Sequence, residues 1–196
     1  NMINWLKENS EEPINIPLSE TVLSDITRNN QQISKLSWGD SGEIKYFDII
    51  DIVLDPCNTI QIDKYRSVES VCIKYQTNEL EEEICSFGAR EIYEGMAYLI
   101  EQHITKDFES SPDFPYNTAY KVAEFLYPIL TNDYKNILVL CDKALMFSNP
   151  GSEFVKMIKW IKEIKFVPES PDNLYYLLEQ YWEIYDINVK VDPLDN

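Results

Sequence analysis

Two glutamates, Glu91 and Glu94, stand three residues apart in a segment whose sequence predicts a helix. Carboxylates are the ligands that Mg²⁺ and Mn²⁺ prefer, and such a site needs only two or three acids together with water. The pair therefore supports one hypothesis, a carboxylate-based, metal-dependent enzyme in which Glu91 could also act as general acid or base. Because the chain holds 34 acidic residues, acids at this spacing are also expected by chance.

The single histidine, His103, is the other candidate for proton transfer or for activating a cysteine. One histidine excludes most zinc sites and catalytic triads that depend on this residue. Cys85 falls on the same predicted helix, about 27 Å away at about 1.5 Å per residue, so a Cys–His pair would need Cys57 or Cys141. A lone histidine near a helix end more often serves as a cap.

The predicted helix that positions these residues runs from Glu79 to His103. Asn78 is a favourable N-cap, and Glu81 completes a capping box. Four glutamates in the first turns favour the positive end of the helix dipole.

Two glycines of this helix, Gly88 and Gly95, lie two turns apart on one stripe. A helical glycine costs roughly 1 kcal/mol relative to alanine, so two on one stripe predict that another backbone comes close. Glu91 lies between them, where its carboxylate must be paired, hydrogen-bonded or neutralised. The commoner alternative is a glutamate at the edge of the stripe that reaches water or pairs with a lysine. Arg90 and Glu94 lie on another side and are expected to face solvent.

The first part of the chain carries period-two patterns typical of strands. Residues 43–55 alternate after the turn Gly39–Gly42, Ile60 and Ile62 indicate a second short strand, and residues 70–75 indicate a third. The connections are too short for crossover helices, which favours an antiparallel sheet.

After residue 78 the apolar period changes to 3.6 residues. Proline and capping residues mark several helix starts, among them Asn132 or Asp133, Pro150 and Pro171. The predicted fold is α+β: a small N-terminal antiparallel sheet followed by a bundle of about five α-helices. Residues 1–78 would form the α/β portion with the sheet and residues 79–196 the helical bundle, together as one compact unit.

The net charge of −17 limits the partners of this protein. Nucleic acids and anionic membranes both attract a basic face, so neither is an expected partner. Residues 1–78 hold 7 bases and 12 acids, and residues 79–196 hold 10 bases and 22 acids, so the second half is the more electronegative. The charge favours a basic protein partner, although solubility alone also explains it.

The cysteines and the apolar pattern indicate the compartment. The four cysteines match neither a zinc site nor a redox pair, which predicts reduced thiols. Neither a secretion leader nor an apolar run of about 18 residues is present, so we expect a cytoplasmic protein without a membrane span. Five scattered glycines form no phosphate-binding loop, and no cofactor other than Mg²⁺ or Mn²⁺ is implied.

The last predicted helix carries three aromatic residues beside its apolar stripe, namely Tyr175, Tyr176 and Trp182. Tyrosine and tryptophan dominate interface hot spots, so these residues are candidates for binding a partner or for a homodimer. A wide buried face that closes the bundle is an equal alternative.

Two functions of different classes follow from the sequence. The first is an interaction or regulatory protein, immunity-like or inhibitor-like, that binds a basic protein through its acidic helical half. The alternative is the metal-dependent enzyme centred on Glu91.

Overall fold

The computed structural model describes residues 37–61, 67–78, 82–105 and 111–190, without the side chains of residues 55–61, 67–68 and 182–190. Within these ranges, three strands form an antiparallel sheet and six helices follow it along the chain. The predicted α+β class, with a small antiparallel sheet before a helical bundle, is confirmed.

The strands pair in the order β1–β2–β3, and they span Asp48–Gln61 (β1), Ser67–Gln76 (β2) and Glu82–Phe87 (β3). The helices are α1 (Ala89–Ile104), α2 (Asp113–Tyr116), α3 (Thr118–Leu126), α4 (Tyr134–Ala144), α5 (Pro150–Glu163) and α6 (Pro171–Lys190). A 3₁₀ helix at Pro128–Asn132 connects α3 to α4. None of the helices in the described ranges has the length and apolar character needed to cross a membrane.

Strand β1 begins at Asp48 and continues through Pro56, so the two strands predicted on either side of that proline are one. Its pairing with β2 is interrupted between Asp55 and Ile60. Proline lacks the N–H that a regular ladder requires, and such an irregularity accommodates it.

The helix predicted from Glu79 to His103 is wrong in its first part, because residues 82–87 form β3. In this strand Cys85 and Phe87 are buried against the core, whereas Ile84 is exposed, as alternation requires. Pairing of Cys85 with Ile73 of β2 stabilises the extended form over the helical preference of the glutamates. Asn78 therefore precedes a strand, and its predicted capping partner Glu81 lies outside the described residues.

The core lies between the inner face of the sheet and the helices. Phe87 of β3 meets Phe154 of α5 edge to face, with ring centroids 5.6 Å apart. Helix α4 contacts α1, α3, α5 and α6, so it is the central helix among those described. Each fully buried isoleucine or phenylalanine contributes about 1.5–3 kcal/mol. The fully buried apolar residues of α4 and α5 are Ile137, Leu140, Cys141, Ala144, Phe154, Val155, Met157, Ile158 and Ile161.

The starts of the later helices follow the predicted signals. The Asp133 side chain accepts a hydrogen bond of 2.9 Å from the Lys135 amide and caps α4. Pro150 and Pro171 are the first residues of α5 and α6, where the missing N–H costs nothing.

Just after α5 the chain contains a residue with a left-handed backbone, Lys165, whose φ is 55°. The Phe166 amide donates to the Ile161 carbonyl at 3.1 Å, and the Lys165 amide donates to the Lys162 carbonyl at 3.0 Å. This pair of bonds is a Schellman motif, which glycine closes without steric cost.

Lys165→Gly is expected to raise the free energy of unfolding by about 1 kcal/mol, because it relieves the left-handed strain. Urea denaturation measures the change. Lys159→Gly is the matched control, since Lys159 is exposed inside α5, and it is expected to lower the free energy of unfolding by about 1 kcal/mol. Equal losses at the two positions would contradict the prediction.

Candidate functional site

Glu91 lies in the first turn of α1 and is completely buried. Its Oε2 accepts a hydrogen bond of 2.7 Å from the Gly88 amide, the residue that precedes the helix. This bond is the glutamate half of a capping box. Gly88 therefore lies just before α1 and not inside a longer helix.

The carboxyl group of Glu91 packs against the backbone of Gly39. A Cβ added to Gly39 would lie 1.9 Å from Oε2, and the φ of Gly39 is 102°, a conformation that favours glycine. The turn predicted at Gly39–Gly42 therefore covers the carboxyl group, a contact that no local sequence pattern predicted. Gly39 is a site residue that the sequence analysis missed.

Arg90 holds this turn in place. Its Nη1 donates to the Asp40 carbonyl at 2.5 Å and to the Gly42 carbonyl at 3.1 Å, and it lies 3.9 Å from Oε1 of Glu91. The prediction that Arg90 belongs to an ordinary solvated face is wrong, because its guanidinium joins α1 to the turn. Among the described residues, Oε1 of Glu91 has no hydrogen-bond partner.

Two more backbone contacts complete this region. A Cβ on Gly88 would lie 2.5 Å from both the Gly39 nitrogen and the Ser37 carbonyl oxygen, and a Cβ on Gly151 would lie 2.2 Å from the Phe87 carbonyl oxygen. We call the meeting point of Gly39, Gly88 and Gly151 the glycine junction. Three chain segments approach one another there with Glu91 beneath the first of them, so the prediction of a close backbone contact at Gly88 is confirmed.

The second glycine of the predicted stripe, Gly95, faces α3. A Cβ on Gly95 would lie 3.2 Å from Cβ of Ala119 and 3.4 Å from the Tyr116 carbonyl oxygen. The chain thus comes close at this glycine as well, although the contact is looser than at the glycine junction.

Burial raises the pKa of Glu91 to about 7, against the opposing effects of the Gly88 amide and the Arg90 guanidinium. Burial and the carboxylates of Glu91 and Asp40 raise the pKa of Cys85 to about 12. A thiol with this pKa is protonated near neutrality, so Cys85 is not an activated nucleophile.

The surroundings of Glu91 favour a structural role, in which its carboxyl group holds the start of α1 against the turn at Gly39, over metal binding. Across the part of the chain that the structure describes, no group of three or more histidine, cysteine, aspartate or glutamate residues could hold a metal ion. Glu94, the predicted second ligand, is partly exposed, whereas the carboxyl group of Glu91 is directed at Gly39. Two shallow cavities, of about 230 and 290 Å³, lie beside Asp48 and Lys121, and neither is lined by Glu91 or Glu94.

His103 lies in the last turn of α1, with an exposed side chain that stacks on Tyr134 at a centroid distance of 4.9 Å. Cys85 lies on β3 and not on the helix of His103, so the distance predicted between them along one helix does not apply. Cys141 is completely buried, and burial raises the pKa of its thiol far above the usual range. The described contacts of His103 therefore give it a stacking role.

The predicted aromatic contact residues of the last helix lie on α6. Tyr175 covers Lys143 of α4, whose Nζ lies 3.6 Å from the centre of the tyrosine ring and also contacts the Glu179 carboxylate. Tyr176 is 70 % exposed, and its ring meets that of Tyr175 edge to face. Trp182 is part of α6, but its side chain lies outside the described ones. Tyr175 is thus partly engaged inside the molecule, while Tyr176 faces outward.

A second apolar stripe runs along the outer face of α1, which the sequence analysis did not identify. Its members are Tyr93, Ala97, Ile100 and Ile104, all of them exposed. Their spacing of four, three and four residues could have been read from the sequence as a second apolar face. We call these four residues the outer stripe.

Comparisons of the chain with protein families, with characterised proteins and with solved structures found no match.

Proposed function

We propose that this chain is a cytoplasmic interaction or regulatory protein, immunity-like or inhibitor-like, that binds a basic protein partner. The observation that supports it is the arrangement of the charges. Many basic side chains are engaged in contacts inside the molecule, whereas many acidic ones remain exposed.

Three of these basic side chains donate to backbone carbonyl groups. Arg90 binds the covering turn, Lys121 donates to the Phe47 carbonyl at 2.7 Å, and Lys162 donates to the Leu126 carbonyl at 2.8 Å. A carbonyl group carries no net charge, so the Lys162 contact leaves acidic side chains elsewhere uncompensated, whereas Arg90 and Lys121 also pair with Glu91 and Asp113. Lys143 and Lys156 are engaged by Glu179 and Glu153.

The exposed acids are distributed over the sheet and the helices. Several of them form no ion pair with a described residue: Asp48, Asp51, Glu82, Glu101, Glu124, Asp142, Glu163 and Asp172. A surface of this kind attracts a basic protein and speeds its association, and salt weakens the attraction.

A capture experiment tests this proposal. We expect the tagged full chain to retain a basic protein from an extract of its source cells, and to release it when salt is raised from about 0.05 to 0.5 M. Neutralising four exposed acids is expected to slow association with that protein at least about tenfold. These substitutions are Glu101→Gln, Glu124→Gln, Asp142→Asn and Glu163→Gln.

The matched control neutralises four exposed lysines and is expected to leave association unchanged or faster. Its substitutions are Lys45→Gln, Lys74→Gln, Lys135→Gln and Lys159→Gln, all at exposed positions. Retention of no protein, or of a protein that salt does not release, would contradict the proposal.

The α6 aromatic residues are a second candidate contact, for a partner or for a second copy of the chain, because Tyr176 is so exposed. The alternative function, an enzyme using Mg²⁺ or Mn²⁺ at Glu91, is supported by the raised pKa of that carboxyl and by its oxygen without a hydrogen-bond partner. The covering turn and the partly exposed position of Glu94 give it less support than the binding function has.

A further inference from the structure

The outer stripe lies on the side of α1 opposite to the core. On the inner side Ile92, Gly95 and Leu99 are buried against the bundle. On the outer side Tyr93 is 53 % exposed, Ile100 40 % and Ile104 73 %. Scattered apolar residues on a surface are ordinary, but these lie in one row.

The spacing of the row is that of a helix–helix seam. Steps of four, three and four residues place side chains where a coiled coil has its core positions. From Tyr93 to Ile104 the row is about 16 Å long at 1.5 Å per residue, long enough for three turns of a second helix. The stripe is therefore shaped to accept a helix.

The charges beside the row indicate the kind of helix. Glu94 and Glu101 stand seven residues apart along one side of it, and neither forms an ion pair with a described residue. The opposite side carries Met96 and His103. A helix with an apolar seam and with lysine or arginine beside that seam would complement both the outer stripe and the two carboxylates.

A second copy of the chain fits this surface poorly. In an antiparallel pair of α1 helices the two glutamate rows would face each other. Each copy also carries a net charge of −17, so repulsion would oppose the pair.

We propose that the outer stripe, together with Glu94 and Glu101, is the docking surface for a basic amphipathic helix of the partner protein. This inference rests on the proposed function and adds to it the site and the structural class of the ligand. Binding would bury the three large apolar side chains and bring basic groups against the two carboxylates.

A binding assay with a synthetic helix tests the inference. The probe is a fluorescent peptide of three heptads, with leucine along its seam and lysine beside it, and anisotropy reports its binding to the full chain. We expect saturable binding that weakens with salt, and at least about tenfold weaker binding of the same peptide with glutamate in place of lysine.

Variants of the stripe locate the contact. Ile100→Ser and Ile104→Ser are each expected to weaken binding about tenfold, since each loses most of the burial of one isoleucine. Glu94→Gln with Glu101→Gln is expected to weaken binding at low salt and to reduce its salt dependence. Ile164→Ser is the matched control, because Ile164 is an exposed isoleucine beyond the end of α5, and it should bind normally.

Other occupants of the stripe would give different results, each of which overturns the inference. A dimer in sedimentation that Ile104→Ser converts to a monomer would assign the stripe to a second copy. A fall of more than about 3 °C in the Tm of Ile104→Ser without peptide would indicate that the chain itself covers the stripe.

The assay also separates this inference from the proposed function. If the stripe variants bind the lysine peptide as tightly as the natural chain, the docking site is wrong while a basic partner remains supported. If the lysine peptide does not bind and the extract yields no basic protein, both are wrong.

Discussion

Gly151→Ala is expected to lower the free energy of unfolding by at least about 3 kcal/mol, the largest effect that we predict for a single methyl group. The added carbon would lie 2.2 Å from the Phe87 carbonyl oxygen and 3.0 Å from the Gly88 Cα. Both neighbours are backbone atoms, so neither can rotate away. Alanine in a helix is otherwise favoured over glycine by roughly 1 kcal/mol, so a loss of stability would report the contact itself.

Gly42→Ala is the control for this substitution. The added carbon would have no neighbour within 4 Å, and Gly42 lies in the covering turn of the same region. We expect a change of less than about 0.5 kcal/mol, as for other surface substitutions. Urea denaturation of the two variants measures both effects, and a Gly151→Ala protein as stable as Gly42→Ala would contradict the glycine junction.

Glu91→Gln is expected to remove a pH dependence from the stability of the protein. The folded pKa of Glu91 is raised from an ordinary value near 4.5 to about 7. Well below pH 4.5 the carboxyl group is protonated in both the folded and the unfolded state, so its ionisation does not affect stability. As the pH rises towards 7 the unfolded chain ionises first, so stability falls, by a total of about 3 kcal/mol. Glutamine stays neutral and keeps an oxygen that can accept from the Gly88 amide.

The difference in unfolding free energy between Glu91→Gln and the natural chain should therefore shift in favour of glutamine by about 3 kcal/mol between pH 4.5 and pH 8. Urea denaturation at several pH values measures it. Glu94→Gln removes a partly exposed carboxylate from the same helix and reports the contribution of net charge alone. A difference for Glu91→Gln that stays constant with pH would show that this carboxyl titrates with an ordinary pKa.

The later helices could be predicted from the sequence because their signals are local. Asp133 caps α4, and Pro150 and Pro171 start α5 and α6, each through groups within a few residues. The strand β3 could not be predicted in this way, because its glutamates favour a helix and only the pairing with β2 favours extension. The alternation of Cys85 and Phe87 was the sequence signal for a strand. A strand of six residues was too short for this signal to outweigh the helical preference of the preceding glutamates.

The candidate site was predicted in part. The sequence predicted a close contact beside Glu91, but its commoner alternative, a glutamate that reaches water, is wrong because Glu91 is fully buried. The sequence did not identify the neighbouring backbone, and the group above the carboxyl is the turn at Gly39, which lies 52 residues earlier in the sequence. The positive φ of Gly39 and the bonds from Arg90 to the turn depend on that distant contact, so no local pattern could reveal them.

The glycine junction has a consequence for the order of assembly during synthesis. The strands β1, β2 and β3 pair with their neighbours in the sequence, so the sheet and the start of α1 can form while the ribosome is still translating. Two contacts require residues that are synthesised much later. Gly151 contacts Phe87, and the side-chain amide of Asn149 donates to the Glu69 carbonyl at 2.6 Å. The turn at Gly39 can contact Gly88 early, but the Phe87 carbonyl side of the junction would stay uncovered until α5 emerges.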